Sequence, residues 1–104
     1  MSATSPFEQA IETLRAAGLE VQEEVYGFSL VLPGSPDLTA KCGVEYGGSL
    51  SLEVPQGESP GRWFFRPTTV EMTRLLLSAH ALMQQEAKTD WVEALSWADI
   101  AEAD

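Results

Sequence analysis

The chain of 104 residues contains one cysteine and one histidine, and these are the first candidates for chemistry. Cys42 sits in an alternating stretch with Ala40, Val44 and Tyr46, and His80 follows Ala79 within a helical pattern. A thiolate–imidazole dyad is the reaction such a pair supports, with the imidazole drawing the proton from sulfur. The competing reading is a small buried thiol and a helix-flank histidine touching Gln84, and we adopt it here. A single cysteine allows no internal disulfide and no thiolate-based zinc site. The carboxylates show no Asp-x-Asp spacing. Glu20, Glu23 and Glu24 lie close together, but strand alternation divides them between two faces. The glycines stand at turns (Gly27, Gly34, Gly47, Gly48, Gly57 and Gly61), and none opens a phosphate loop after a strand. The expectation is therefore no catalytic residue, no cofactor and no metal. The enzymatic or small-ligand alternative is a pocket under the long helix where Cys42, His80, Tyr46 and Trp63 converge.

A second candidate is "RWFFRP", residues 62–67. Alternation puts Arg62, Phe64 and Arg66 on one face and Trp63 and Phe65 on the other. Two arginines flanking an aromatic resemble an anion-binding or base-stacking platform. Six bases against sixteen acids give a formal charge of −10, however, and that field opposes such a ligand. The arginines are expected to pair across strands with Glu53 and Glu45. A third reading makes Phe64 an exposed residue of an interface, and Phe64 is counted here among the expected partner-binding residues.

The same field disfavours direct binding to nucleic acid or to an anionic membrane. Its natural complement is a basic surface on another protein. A bland alternative is charge that serves solubility alone. The opening "MSATSPFEQ" lacks a basic segment followed by an apolar run, so no signal peptide is expected. "LLLSAHALM" is too short to span a bilayer. The expected location is cytoplasmic.

The C-terminal "TDWVEALSWADIAEAD", residues 89–104, carries the strongest hint. On a helical projection Trp91, Leu95 and Ala98 share one side, while Trp97 and Ile100 fall about 120° away. One domain surface does not readily cover both. Trp91 is expected to pack on the parent fold, and Trp97 with Ile100 to need a second surface, from a partner protein or a second copy. Glu93, Asp99, Glu102 and Asp104 ring that anchor with negative charge and call for a basic rim opposite. The alternative is that both tryptophans are buried between the last two helices.

These side chains must be positioned by a small set of elements. Ser5, Pro6 and Glu8 form a helix start with a capping box, and Phe7, Ile11 and Leu14 give the apolar face. Gly18 is placed to end this helix in a left-handed conformation. Period-two patterns follow: Leu19, Val21 and Val25, then Phe28, Leu30 and Leu32. A two-residue turn at Tyr26-Gly27 pairs Val25 with Phe28 and leaves Glu23 on the apolar side, near a sheet edge. "PGSPD", residues 33–37, is a loop. Ala40, Cys42, Val44 and Tyr46 face Leu50, Leu52 and Val54, and a three-residue loop Gly47-Gly48-Ser49 sets Val44 against Leu52. Thr68 and Glu71 cap a helix to about Ala87, and Asp90 with Glu93 begins a last one. The fold class is α+β. An N-terminal helix precedes an antiparallel meander of four or five strands. A long helix and a short C-terminal helix follow, packed on one face of the sheet. Residues 1–104 form one domain, with about 89–104 as an acidic helix or tail.

The function expected from these features is that of a small acidic, non-catalytic protein-binding protein. It would be an inhibitor or regulator occupying a basic surface of its partner, such as one that binds nucleic acid. Small inhibitors carried by phages and mobile elements act this way as a class, their carboxylates substituting for phosphates. "SPFEQAIETL" resembles the opening helix of bacterial type III secretion chaperones, over about a tenth of the chain. That resemblance implies the alternative of a homodimeric chaperone or adaptor. Such chaperones insert a helix between the third and fourth strands, for which Gly47-Gly48-Ser49 leaves no room.

Overall fold

A computed structural model describes residues 6–32, 35–44, 49–56, 59–85 and 90–103. The elements run α1 (Pro6–Ala16), β1 (Val21–Glu24), β2 (Gly27–Leu32), β3 (Ser35–Val44), β4 (Leu50–Gln56), β5 (Ser59–Arg66), α2 (Thr69–Gln85) and α3 (Trp91–Ala103). The strands form an antiparallel meander in the order β1-β2-β3-β4-β5. This is the expected α+β arrangement, with five strands. No helix among the described residues is long and apolar enough to cross a membrane.

Local sequence sets the helix boundaries. Leu19 N–H donates to the Leu14 carbonyl and Gly18 N–H to that of Arg15, at 3.1 and 3.0 Å. With Gly18 at φ 99°, this is a left-handed C-terminal cap that satisfies the last carbonyls of α1. Its apolar partners, Leu14 and Leu19, are both buried. Thr68 and Glu71 close the second capping box: the Glu71 N–H donates to Thr68 Oγ1 at 3.2 Å, and Thr68 Oγ1 donates to Glu71 Oε2 at 3.0 Å. Asp90 Oδ1 accepts from the Glu93 N–H at 2.8 Å and starts α3. The Ser5 cap and the end of α2 near Ala87 lie outside the described residues.

The core lies between one sheet face and the helices. One cross-sheet row runs Glu23, Phe28, Cys42, Leu52, Phe64. Its four inner members are buried with Leu30, Ala40, Leu50 and Val54 against Leu14, Met72, Leu75, Leu76, Ala79 and Leu95. Phe7 of α1 meets Phe28 edge to face, ring centroids 6.2 Å apart. Alternation puts Glu23 on the core-facing side of β1, and its place at the border strand leaves it exposed there.

Two hairpin registers differ from expectation by two residues each. Val25 and Tyr26 make the first turn, pairing Glu24 with Gly27 and Val21 with Leu30. The reason is a close approach: a Cβ at position 27 would collide with the backbone carbonyl of Cys42. Gly27 therefore belongs in β2 against β3, and Val25 is left exposed in the turn. In the second hairpin Val44 pairs with Leu50 and Cys42 with Leu52, which lengthens the connection to residues 45–49. This register puts Cys42 and Leu52 in the same buried row as Phe28 and Phe64.

The two borders of the sheet are treated differently. Val31 N–H donates to Glu20 O at 3.0 Å, so the Val21 carbonyl, one residue on, points away from β2. Arg15 covers it, donating to Val21 O from Nε at 3.2 Å and from Nη2 at 2.7 Å. β5, at the other border, carries Trp63 and Phe65 as exposed side chains.

Candidate functional site

α3 is apolar on two sides, and only one is used by the fold. Trp91, Ala94, Leu95 and Ala98 are buried, stacking mainly against α2. Trp97 and Ile100 are each 61% exposed. The helical projection separates these sets, and the structure leaves the second one without cover. Glu93, Trp97 and Ile100 follow i, i+4, i+7 spacing, so the exposed carboxylate lies on the same stripe as the indole. The Trp91 Nε1–H is buried with no acceptor among the described residues.

Asp99 has a different position from that expected of a free rim charge. Its Oδ1 lies 2.7 Å from Arg66 Nη2, with side chains 45% and 15% exposed respectively. The pair ties α3 to the end of β5, and Arg62 Nη2 adds a 3.3 Å bond to Ser96 Oγ. The arginines therefore reach over the border of the core toward α3. Glu53 lies on the opposite sheet face, beside Trp63, so the expected cross-strand pairing with it does not occur. Glu45, the other expected partner, is outside the described residues, as are Asp104 and the side chain of Glu102.

Phe64 requires a correction. It is 5% exposed and belongs to the core, not to an interface. The flanking arginines suggested an outward face. Their long stems instead let them sit at the core margin with the charges carried to its rim, and the Arg62 guanidinium lies 5.8 Å from the centroid of the Phe64 ring. Parity then places Trp63 and Phe65 outward, 50% and 56% exposed. Sequence reasoning missed these two aromatics. The signal was the apolar Leu52 opposite Phe64, visible once the β4 register is fixed.

The dyad reading finds no support in the geometry. Cys42 is buried and its thiol is pushed up to about 12 by loss of solvation. At neutral pH it is a neutral thiol, without nucleophilic character. No hydrogen bond joins it to His80, which is half-buried on α2. Trp63 points from the other side of the sheet, and Tyr46 lies outside the described residues, so the four expected pocket residues do not converge. Among the described residues, no group of three or more His, Cys, Asp or Glu side chains is placed to hold a metal ion.

No protein-family model, curated protein or solved structure matches this chain.

Proposed function

We propose that this is a non-catalytic binding protein that occupies a basic surface of a partner protein through the outer face of α3. In this reading it acts as an inhibitor or regulator, with spaced carboxylates meeting arginines and lysines that would otherwise hold phosphates. The observation that carries the proposal is the pair Trp97 and Ile100, exposed together on a helix whose other side is fully packed. A large indole beside an aliphatic side chain is the composition of an interface anchor. Glu93 on the same stripe and the net charge of −10 define the rim.

The test compares two substitutions about 3 Å apart along the helix axis, within one short element. Leu95→Ala removes a fully buried side chain and lowers stability by about 2–4 kcal/mol in urea unfolding. Trp97→Ala leaves unfolding nearly unchanged and weakens the complex with the partner captured from the native host by about tenfold or more. Raising salt from about 50 to about 300 mM weakens the same complex, because exposed charge pairs are screened. Affinity indifferent to salt removes the electrostatic part of the proposal. Unaltered affinity of Trp97→Ala removes the surface. If light scattering instead shows a stable dimer that Trp97→Ala separates, the patch serves self-association, as an adaptor or chaperone would use it.

A further inference from the structure

The helices cover one face of the sheet, and among the described residues no element covers the other. Two rows of side chains cross it: Gln22, Ser29, Lys41, Glu53, Trp63, and Glu24, Gly27, Gly43, Ser51, Phe65. In the second row the tall side chains stand at the ends and the small ones in the middle, while Lys41 and Glu53 rise alongside from the first. The result is a trough of about 390 Å³, with Gly43 and Ser51 in its floor and Tyr26, Glu24, Glu53 and Trp63 on its walls. Trp63 and Phe65 are near-parallel, 12° apart, with ring centroids separated by 6.4 Å. That separation is the pitch of an extended chain, in which alternate residues lie about 6.6 Å apart. An extended segment laid beside them presents its alternate side chains at the same interval. Glu53 is next to Trp63 across β4 and β5 and opposite Lys41 across β3 and β4, yet no ion pair joins Lys41 to Glu53. Glu24 accepts one bond, from Ser29 Oγ at 3.3 Å.

We infer that this trough is a second docking site, taking an extended protein segment with arginines at alternate positions. A guanidinium stacks on an aromatic face and pairs with a carboxylate at its edge; Trp63 and Glu53 of the trough supply both, and Phe65, stacked beside Trp63 at the trough's margin, extends the aromatic face. The glycine-and-serine floor admits a backbone at close range. The charge of −10 attracts cationic segments and repels phosphate-bearing planar ligands. The inference shares with the proposed function the idea of a basic partner, but it uses no residue of α3, so the two can fail separately.

The probe is the synthetic peptide acetyl-Gly-Arg-Gly-Arg-Gly-amide, titrated into the isotopically labelled full chain. Its control has citrulline in place of arginine, equal in shape and uncharged. Three tryptophan indole signals report three places: Trp63 the trough, Trp97 the outer face of α3, and Trp91 the core. The expected result is a saturable shift of the Trp63 indole and of the Phe65 and Glu53 amides. The citrulline peptide binds at least about fivefold more weakly, as loss of the cation requires. Trp63→Ala abolishes the shifts at Phe65 and Glu53, with an unmoved Trp91 signal showing that the fold is retained. Glu53→Gln weakens binding without touching the rings, and Lys41→Gln tightens it about twofold by removing a competing cation. Equal binding of the citrulline peptide, the same saturable shift with adenosine monophosphate, or indifference to Trp63→Ala overturns the inference. Movement of the Trp97 indole alone overturns it too, while leaving the α3 reading intact.

Discussion

At the scale of single residues, Cys42 shows how burial replaces reactivity. Its sulfur lies in the row Phe28, Cys42, Leu52, Phe64, beneath the helices, and the thiol is raised to about 12. The native protein thus holds the proton between about pH 9 and 12, where the unfolded chain releases it. Stability from this group is intact below about pH 9 and falls as pH rises toward 12, by up to about 4 kcal/mol for a three-unit shift. Cys42→Ala is expected to flatten this part of the alkaline denaturation curve relative to the parent chain. An identical alkaline slope in the two proteins would show that the thiol is not protected. Arg62 and Arg66 teach a related lesson. Arginine in a strand reads as an outward residue, but its stem is long enough to cover Phe64 while its charge reaches α3.

At the scale of elements, what the sequence made legible was local. The Thr68–Glu71 capping box, the Asp90 start, the Gly18 terminator and the two-sided character of α3 depend on neighbours within one or two turns, and all stand where the residues put them. Strand registers depend on distant partners. Alternation fixes which side chains share a face, but registers two residues apart satisfy it equally. The choice between them is made by the clearance at Gly27 against Cys42 and by the packing of the buried row, neither of which is a nearest-neighbour property. The same limit hid Trp63 and Phe65, whose outward placement follows from the β4–β5 pairing. The α3 stripe was readable because helical spacing alone assigns it. Its N-terminal cap gives an element-level expectation: Asp90→Ala costs about 1 kcal/mol and loosens the first turn. Since Trp91 opens that turn, its fluorescence should shift to the red and amide exchange over residues 91–94 should accelerate. Unchanged exchange there would mean that packing, not the cap, holds the start of α3.

At the scale of the whole molecule, the charge of −10 acts on folding and on binding in opposite senses. Like charges confined to a radius of gyration of 13.1 Å repel one another, and at about 0.1 M salt the screening length is only about 10 Å. Raising salt from about 0.02 to about 0.5 M is therefore expected to increase Tm by about 2–5 °C, while it weakens a charge-led complex. A Tm that falls with salt would mean that attractive pairs such as Arg66–Asp99 outweigh the general repulsion. In the proposed reading, net charge lowers stability while strengthening attraction to a basic partner.

The guanidinium that Arg15 lays over the Val21 carbonyl has a consequence for assembly. Endless growth by strand addition needs two adhesive margins on every copy, one to receive and one to offer. Here one carbonyl of the β1 margin is already occupied by a side chain of the protein's own first helix, which makes the two margins unequal. Strand addition at β1 must first displace that guanidinium, a step that addition at β5 does not require.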